Sequence, residues 1–150
     1  MNNSSSFDIE IPARAKYLSL VRSLVEEAAE TKTSLSRTQV EDFKVAVSEA
    51  TTNAIEAHAR ASSDETIKIR CTVDSERVEF RIADKGCGFY PDQIQPLPEP
   101  DDPDRLTFER GLGIYLMKVL ADEVEIQSNK NGTEVTLVIQ VGKSNTAVTE

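Results

Sequence analysis

The sequence is poor in the residues that would mark several functional classes. Its single histidine, His58, cannot assemble a histidine metal site, and Cys71 and Cys87 do not form a Cys-x-x-Cys pair. No cationic and then apolar leader opens the chain, so these features together favour a reduced, cytoplasmic protein. The longest apolar runs fall far short of a membrane span, which predicts that the protein has no membrane partner.

The chain also lacks an excess of basic residues. It has 17 Lys and Arg against 26 Asp and Glu, a formal charge of −9. This balance argues against direct nucleic acid binding and favours a basic partner protein. At 150 residues we expect about one domain, without room for a receiver or sensor module beside a catalytic domain.

Apolar periodicity predicts three helices. An amphipathic helix is expected from about 14 to 31, and a third helix from about 112 to 121. The second should begin near Ser36, because Ser36 and Gln39 form a capping-box pattern. Its apolar row consists of Val40, Phe43, Val47, Ala50 and Ala54.

Alternating apolar residues predict the strands. One strand is expected at 7–11, and a hairpin joins 66–73 to 78–82 through a polar turn. A second hairpin is indicated by 124–126 and 135–141, which flank a turn rich in asparagine and glycine. Strict alternation implies that one face of the sheet is covered.

Three segments are predicted to lack regular structure. Residues 90–109 hold five of the six prolines among acidic residues, which predicts a mobile loop. Residues 1–6 and 142–150 are small and polar, so we expect disordered ends.

Glu49 and Asn53 lie one helical turn apart beside the apolar row of the second helix, at the edge of the core. Magnesium takes oxygen ligands, and the amide of Asn53 could bind it without adding charge beside phosphates. Glu49 could then accept the proton of an attacking hydroxyl or water. The same spacing also fits a solvated helix face, the commoner fate of such a polar pair.

Two glycine loops follow along the chain. Asp84 ends a predicted strand before Gly86 and Gly88, and its carboxylate could accept a hydrogen bond from an exocyclic amine such as that of adenine. Gly111 and Gly113 open the third helix, whose unpaired N–H groups suit a triphosphate. Taken alone, each loop is also explained by a tight turn or by close packing.

Arg110 directly precedes the second glycine loop, where a guanidinium could stabilise charge on a transferring phosphoryl group. Arg105 and Lys85 are weaker candidates for this role. His58 lies on the apolar side of the second helix, which favours packing or a hydrogen bond over catalysis. In their order along the chain, the motifs point to ATP chemistry with magnesium.

These motifs resemble those of the GHKL ATPases, which include gyrase-type topoisomerases, histidine kinases and mismatch-repair ATPases. Runs 48–55 and 109–113 are most similar to the bacterial anti-sigma factor serine kinases, and the resemblance covers about residues 7–141. It implies a Bergerat-type fold, an α+β two-layer sandwich in which three helices cover one face of a mixed, mostly antiparallel sheet. ATP would lie between helix and lid, the lid being about residues 90–110.

By motif match, the resemblance assigns magnesium to Asn53, the general base to Glu49 and adenine recognition to Asp84. Arg110 would be a second catalytic residue, although it directly abuts Gly111, where several family members have one more residue. The nucleotide-binding set would be Asn53, Asp84, Gly86, Gly88, Gly111, Leu112, Gly113 and Thr133, the last supporting the adenine site.

The resemblance also implies partners. Such proteins bind a sigma factor and phosphorylate a serine of a small anti-anti-sigma protein of the STAS type, with ATP and Mg²⁺ as cofactors, and many are homodimers. Two alternatives remain: a non-catalytic module that uses ATP only to shape its sigma-binding surface, and an isolated histidine-kinase-type ATPase domain. A methyltransferase loop for S-adenosylmethionine would need a buried parallel strand before Asp84, whereas hairpins are expected.

Overall fold

The computed structural model describes residues 4–31, 34–86 and 109–141, with only the backbone of residues 109–112. Its elements are β1 (Ser5–Ile11), α1 (Leu18–Glu30), α2 (Arg37–Arg60), β2 (Ile67–Val73), β3 (Arg77–Ala83), α3 (Glu109–Leu120), β4 (Glu123–Asn129) and β5 (Gly132–Gln140). The described residues thus form three α-helices and five strands, which is the α+β class that the sequence predicts.

The five strands form one sheet in the order β1-β2-β3-β5-β4, and all four neighbouring pairs are antiparallel. Both predicted hairpins are present, as β2-β3 and β4-β5. β3 and β4 run in the same direction, but β5 lies between them because the hairpin places β5 against β3. The parallel pairing that a mixed sheet implies is therefore not found among the described strands, and β3 lacks the parallel neighbour that the methyltransferase alternative would need.

The helices cover one face of this sheet. In β2 the side chains of Ile67, Ile69 and Cys71 are buried, whereas Lys68 and Arg70 between them are exposed. α2 is the central helix: it contacts α1, α3 and strands β3 and β5. All five residues of its predicted apolar row are buried, so the amphipathic pattern is confirmed.

The start of α2 follows the predicted capping box. The Ser36 hydroxyl accepts a hydrogen bond from the Gln39 amide at 3.0 Å, and the Gln39 side chain accepts one from the Ser36 amide at 2.8 Å. Each bond satisfies an N–H group that has no partner inside the helix.

Several boundaries differ from the prediction. Both strands of the second hairpin are longer than expected, and β5 begins at Gly132 rather than at 135. β1 begins at Ser5, two residues early, because Ser5 and Ser6 also pair with β2. α1 begins at Leu18, after a short 3-10 turn at Ala15–Tyr17. α3 begins at Glu109, so both of its glycines lie inside the helix. Gly113 packs closely against Glu49 and Asn53 of α2, which offsets the low helix propensity of glycine at that position.

Candidate functional site

Glu49 and Asn53 of α2 meet α3 at Gly113. A Cβ atom added to Gly113 would lie 3.1 Å from Oε2 of Glu49 and 3.5 Å from Nδ2 of Asn53. Both side chains are half-buried, in keeping with their position beside the apolar row. The two helices thus bring an acid, an amide and a stretch of backbone without a side chain to one place.

The surroundings of Glu49 increase its affinity for a proton. Burial raises the pKa of Glu49 above its ordinary value, and the negative charge of Glu56, two turns further along α2, raises the pKa further. A carboxylate in such a place accepts a proton more readily than a fully hydrated one does. This is the property that a general base requires.

Asp84, which follows β3, is held by backbone groups from two segments. Its Oδ1 oxygen accepts hydrogen bonds from the amides of Gly86 at 2.9 Å and Thr133 at 3.2 Å. Its own amide donates to the Thr133 carbonyl at 2.9 Å. Burial raises the pKa of Asp84, and the two amides that bond the carboxylate partly offset this effect. The orientation of the carboxylate is therefore fixed before any ligand binds.

Gly132 makes this arrangement possible. Its φ is +145°, and a Cβ atom there would lie 2.1 Å from the carbonyl oxygen of Asp84. The next residue, Thr133, is buried, and its hydroxyl lies 2.7 Å from that of Ser128 across the β4-β5 hairpin. The turn of the second hairpin therefore packs directly on the Asp84 loop.

The last turns of α2 hold the same loop from the other side. A Cβ atom on Gly86 would lie 2.6 Å from the Cβ of Ala57, so glycine is required for this approach. The Lys85 amide donates a 2.8 Å hydrogen bond to Nε2 of His58, which is 1% exposed. The expectation that His58 packs or forms a hydrogen bond is confirmed.

Asn53 and Asp84 line one narrow cavity between α2, α3 and the sheet, together with Thr133. The remaining lining is apolar: Ala50, Ala54, Ala57, Ile82, Ile114, Met117, Ile126 and Val135. The volume of this cavity is about 10 Å³, which is room for about one water molecule and not for a ligand ring. A wider apolar groove, between β1 and α1, contains none of the motif residues.

Several predicted site residues lie outside what the structure describes. Gly88, Arg105 and most of the predicted lid are not among the described residues, and for Arg110, Gly111 and Leu112 only the backbone is given. That backbone belongs to the first turn of α3, whose N–H groups lack intrahelical partners in any α-helix.

The described part of the chain contains neither a metal cluster nor a membrane-spanning helix. Within 4–31, 34–86 and 109–141 no group of three His, Cys, Asp or Glu side chains could hold a metal ion. A magnesium ion held by one amide oxygen, phosphates and water needs no such cluster. None of the helices in these ranges is long and apolar enough to cross a bilayer.

The sequence did not reveal which residues support the site. Ala57, His58 and Ser128 contact the Asp84 loop or Thr133, but they carry no motif. The signals available in the sequence were the small side chain of Ala57 and the position of the polar His58 on the apolar face of its helix.

Comparison with known sequences finds proteins that are similar to this chain over most of its length. The model of the histidine kinase-like ATPase domain family matches residues 11–139. The chain is similar to serine-protein kinase RsbW of Bacillus subtilis strain 168, at 35% identity over 140 residues, covering 91% of this chain and 86% of that protein. It is 37% identical to RsbW of Bacillus velezensis over 130 residues, covering 84% and 80% of the two chains.

Two solved structures share the fold. The RsbU and RsbW domains of a Mycobacterium tuberculosis protein superpose with a TM-score of 0.65 at 19% identity, covering 91% of this chain and 32% of that one. The histidine kinase domain of a blue-light activated kinase from Erythrobacter litoralis gives a TM-score of 0.54 at 20% identity, covering 93% and 66%. At such identities the likeness concerns architecture alone.

Proposed function

Because the chain belongs to the histidine kinase-like ATPase domain family and, within it, to the RsbW serine-protein kinases, we propose that this kinase phosphorylates an anti-anti-sigma protein and binds a sigma factor. Membership makes it a protein serine kinase that uses ATP. The acceptor, the sigma factor, the metal and the role of each residue are the proposed part.

The observation that carries the proposal is the convergence of Glu49 and Asn53 on Gly113. Glu49, with its raised pKa, would accept the proton of the attacking serine hydroxyl. The absent side chain at Gly113 lets the backbone of α3 come close to the acid and the amide. A phosphoryl group that reached this place would lie next to the first turn of α3, where backbone N–H groups favour anions.

Asn53 would be the magnesium ligand of the chain. Its amide oxygen is hard and uncharged, which fits a cation that takes its remaining ligands from phosphates and water. ATP supplies the transferred phosphoryl group when it is bound. Arg110 would stabilise the charge on that group, and Gly88, Gly111 and Leu112 would shape the loops around the phosphates.

Asp84 would read the adenine base. Because Oδ1 is occupied by the amides of Gly86 and Thr133, a ligand amine would bond the second oxygen, to which no described residue donates. The apolar side chains beside Asp84 would contact the purine ring, and the narrow cavity they line would have to widen to admit it.

The proposed partners are proteins. The acceptor would be a small STAS-type protein that is phosphorylated on a serine, and a sigma factor would be held until that acceptor releases it. The net charge of −9 would favour basic surfaces on these partners. We further propose a cytoplasmic protein that forms a homodimer and contacts neither nucleic acid nor membrane directly.

The function is tested by phosphoryl transfer in a purified system. The full chain is incubated with Mg²⁺, γ-labelled ATP and the cognate STAS protein, and label on the acceptor serine is followed by mass spectrometry. We expect transfer that needs both Mg²⁺ and the acceptor, and a rate at least about 100-fold lower in Glu49→Gln, since a general base contributes roughly that much.

Glu65→Gln is the matched control, because Glu65 is an exposed carboxylate beyond the end of α2. It should transfer phosphate at the wild-type rate. Normal transfer by Glu49→Gln would overturn the assignment of the base. Tight ATP binding by the wild type without any transfer would instead favour a non-catalytic sigma-binding module.

A further inference from the structure

We propose that His58 is a positioning residue for the purine end of the site. It would hold the backbone of the loop at residues 84–86, and so the Asp84 carboxylate, in the orientation that reads the base. This inference rests on the proposed function, in which Asp84 is the base-reading residue.

The contact is direct and buried. Nε2 of His58 accepts a hydrogen bond from the Lys85 amide at 2.8 Å, and His58 is 1% exposed. The preceding helix residue, Ala57, lies against Gly86, where a Cβ atom would stand 2.6 Å from the Ala57 Cβ. Two consecutive residues of α2 thus contact two consecutive residues of the loop.

The three successive amides of the loop have three different acceptors. The Asp84 amide donates to the Thr133 carbonyl, the Lys85 amide to His58, and the Gly86 amide to Oδ1 of Asp84. Of these acceptors, only His58 is a side chain outside the loop. Without it, the Lys85 amide has no described acceptor, and the carboxylate would be held less firmly, by the Gly86 and Thr133 amides alone.

The hydrogen bonding of His58 indicates that its role is not packing alone. Because Nε2 accepts a hydrogen bond, the proton of the neutral ring lies on Nδ1. Nδ1 is buried and has no hydrogen-bond partner among the described residues. A buried donor without an acceptor destabilises a fold. An apolar residue of similar size would avoid that cost, so the histidine is better explained by the bond to Lys85.

Two substitutions separate the hydrogen bond that His58 accepts from the space that its ring fills. His58→Gln keeps an acceptor oxygen near the place of Nε2, whereas His58→Leu fills the space without one. For each variant, calorimetry gives the dissociation constants of a non-hydrolysable ATP analogue and its GTP counterpart. Thermal unfolding gives the stability, and hydrogen exchange without nucleotide gives the protection of the Lys85 amide.

We expect His58→Leu to weaken ATP binding about 3- to 10-fold, the effect of one net hydrogen bond. Its preference for ATP over GTP should fall by a similar factor, and the Lys85 amide should exchange faster. The transfer rate at saturating ATP should stay near the wild-type value, because Glu49 is untouched. His58→Gln should restore affinity, preference and protection to within about twofold.

The inference is overturned if His58→Leu keeps wild-type affinity and base preference, or if both variants lose them equally along with stability. These results differ from a failure of the proposed function. In that case the wild type itself would bind no ATP or transfer no phosphate, while the exchange of the Lys85 amide would still report whether His58 holds the loop.

Discussion

Gly113 lies so close to Glu49 that a Cβ atom on the glycine would stand 3.1 Å from the Oε2 oxygen of the acid. This approach, tighter than ordinary van der Waals contact, joins the two helices at the proposed catalytic end. If residue 113 carried a Cβ atom, the Glu49 side chain could avoid it only by leaving its present position beside α3.

Gly113→Ala should therefore impair activity more than folding. Alanine favours the helix by about 1 kcal/mol relative to glycine, which offsets part of the steric cost. We expect the free energy of unfolding to stay within about 1 kcal/mol of the wild-type value. The kcat/KM for phosphoryl transfer should fall by about 10-fold or more. Lys118→Ala, on the exposed side of α3, is the control and should change neither quantity. Wild-type kinetics in Gly113→Ala would contradict the described approach.

The raised pKa of Glu49 predicts a dependence of stability on pH. The folded state holds the proton of Glu49 more tightly than the unfolded state does, so its stabilising contribution is full below the unfolded pKa and is lost as pH rises through the folded pKa. At pH 7 the charged carboxylate destabilises the fold, and Glu49→Gln should raise Tm by about 1–4 °C.

Thermal unfolding at several pH values checks this prediction. The difference in Tm between wild type and Glu49→Gln should shrink as the pH falls from 7 through the raised folded pKa towards the ordinary value of 4.5, because the wild-type carboxyl then takes up its proton. Glu65→Gln should show a negligible difference throughout. The prediction is contradicted if Glu49→Gln has a lower Tm than wild type at pH 7 and the difference does not change at lower pH. The surroundings would then stabilise the charged form of Glu49.

Gly86→Ala should damage the adenine end of the site. Its new Cβ atom would overlap Ala57, and overpacking of this kind costs about 1–3 kcal/mol of unfolding free energy. ATP affinity should fall because Asp84 bonds the Gly86 amide. Denaturant unfolding and calorimetry measure the two effects.

A double-mutant cycle supplies the control. Ala57→Gly removes the Cβ that the new methyl group would meet, so the double variant Ala57→Gly with Gly86→Ala should recover part of the loss. Recovery should be incomplete, since the added Cβ would also lie 2.8 Å from the Ala57 carbonyl carbon and oxygen. Strictly additive losses would show that the two residues do not meet in solution.

Cys71 should be unreactive in the folded protein. Burial raises its pKa to about 12, and the charge of Glu79 contributes in the same direction. Because the thiolate is the reactive form, alkylation by iodoacetamide should be more than about 100-fold slower in the folded protein than in urea. A Cys87→Ser background removes the second thiol. Equal rates in both conditions would show that Cys71 is accessible.

The local elements could be predicted because their causes lie within a few residues. Ser36 and Gln39 are separated by a single helical turn, and their reciprocal bonds form as the pattern predicts. Both hairpins follow from alternation around a short turn, and the apolar row of α2 follows from the 3.6-residue period. The motif order also led from the residues to the correct family.

Sequence by itself therefore determined the elements, the family and the pair Glu49 and Asn53 on one helix face. Only the tertiary structure decided what surrounds that pair and the Asp84 loop. His58 and Lys85 are 27 residues apart, and Asp84 and Thr133 are 49 apart. Such contacts depend on how closely α2, the Asp84 loop and the β4-β5 hairpin pack together. The spacing between these elements is set by side chains throughout the core.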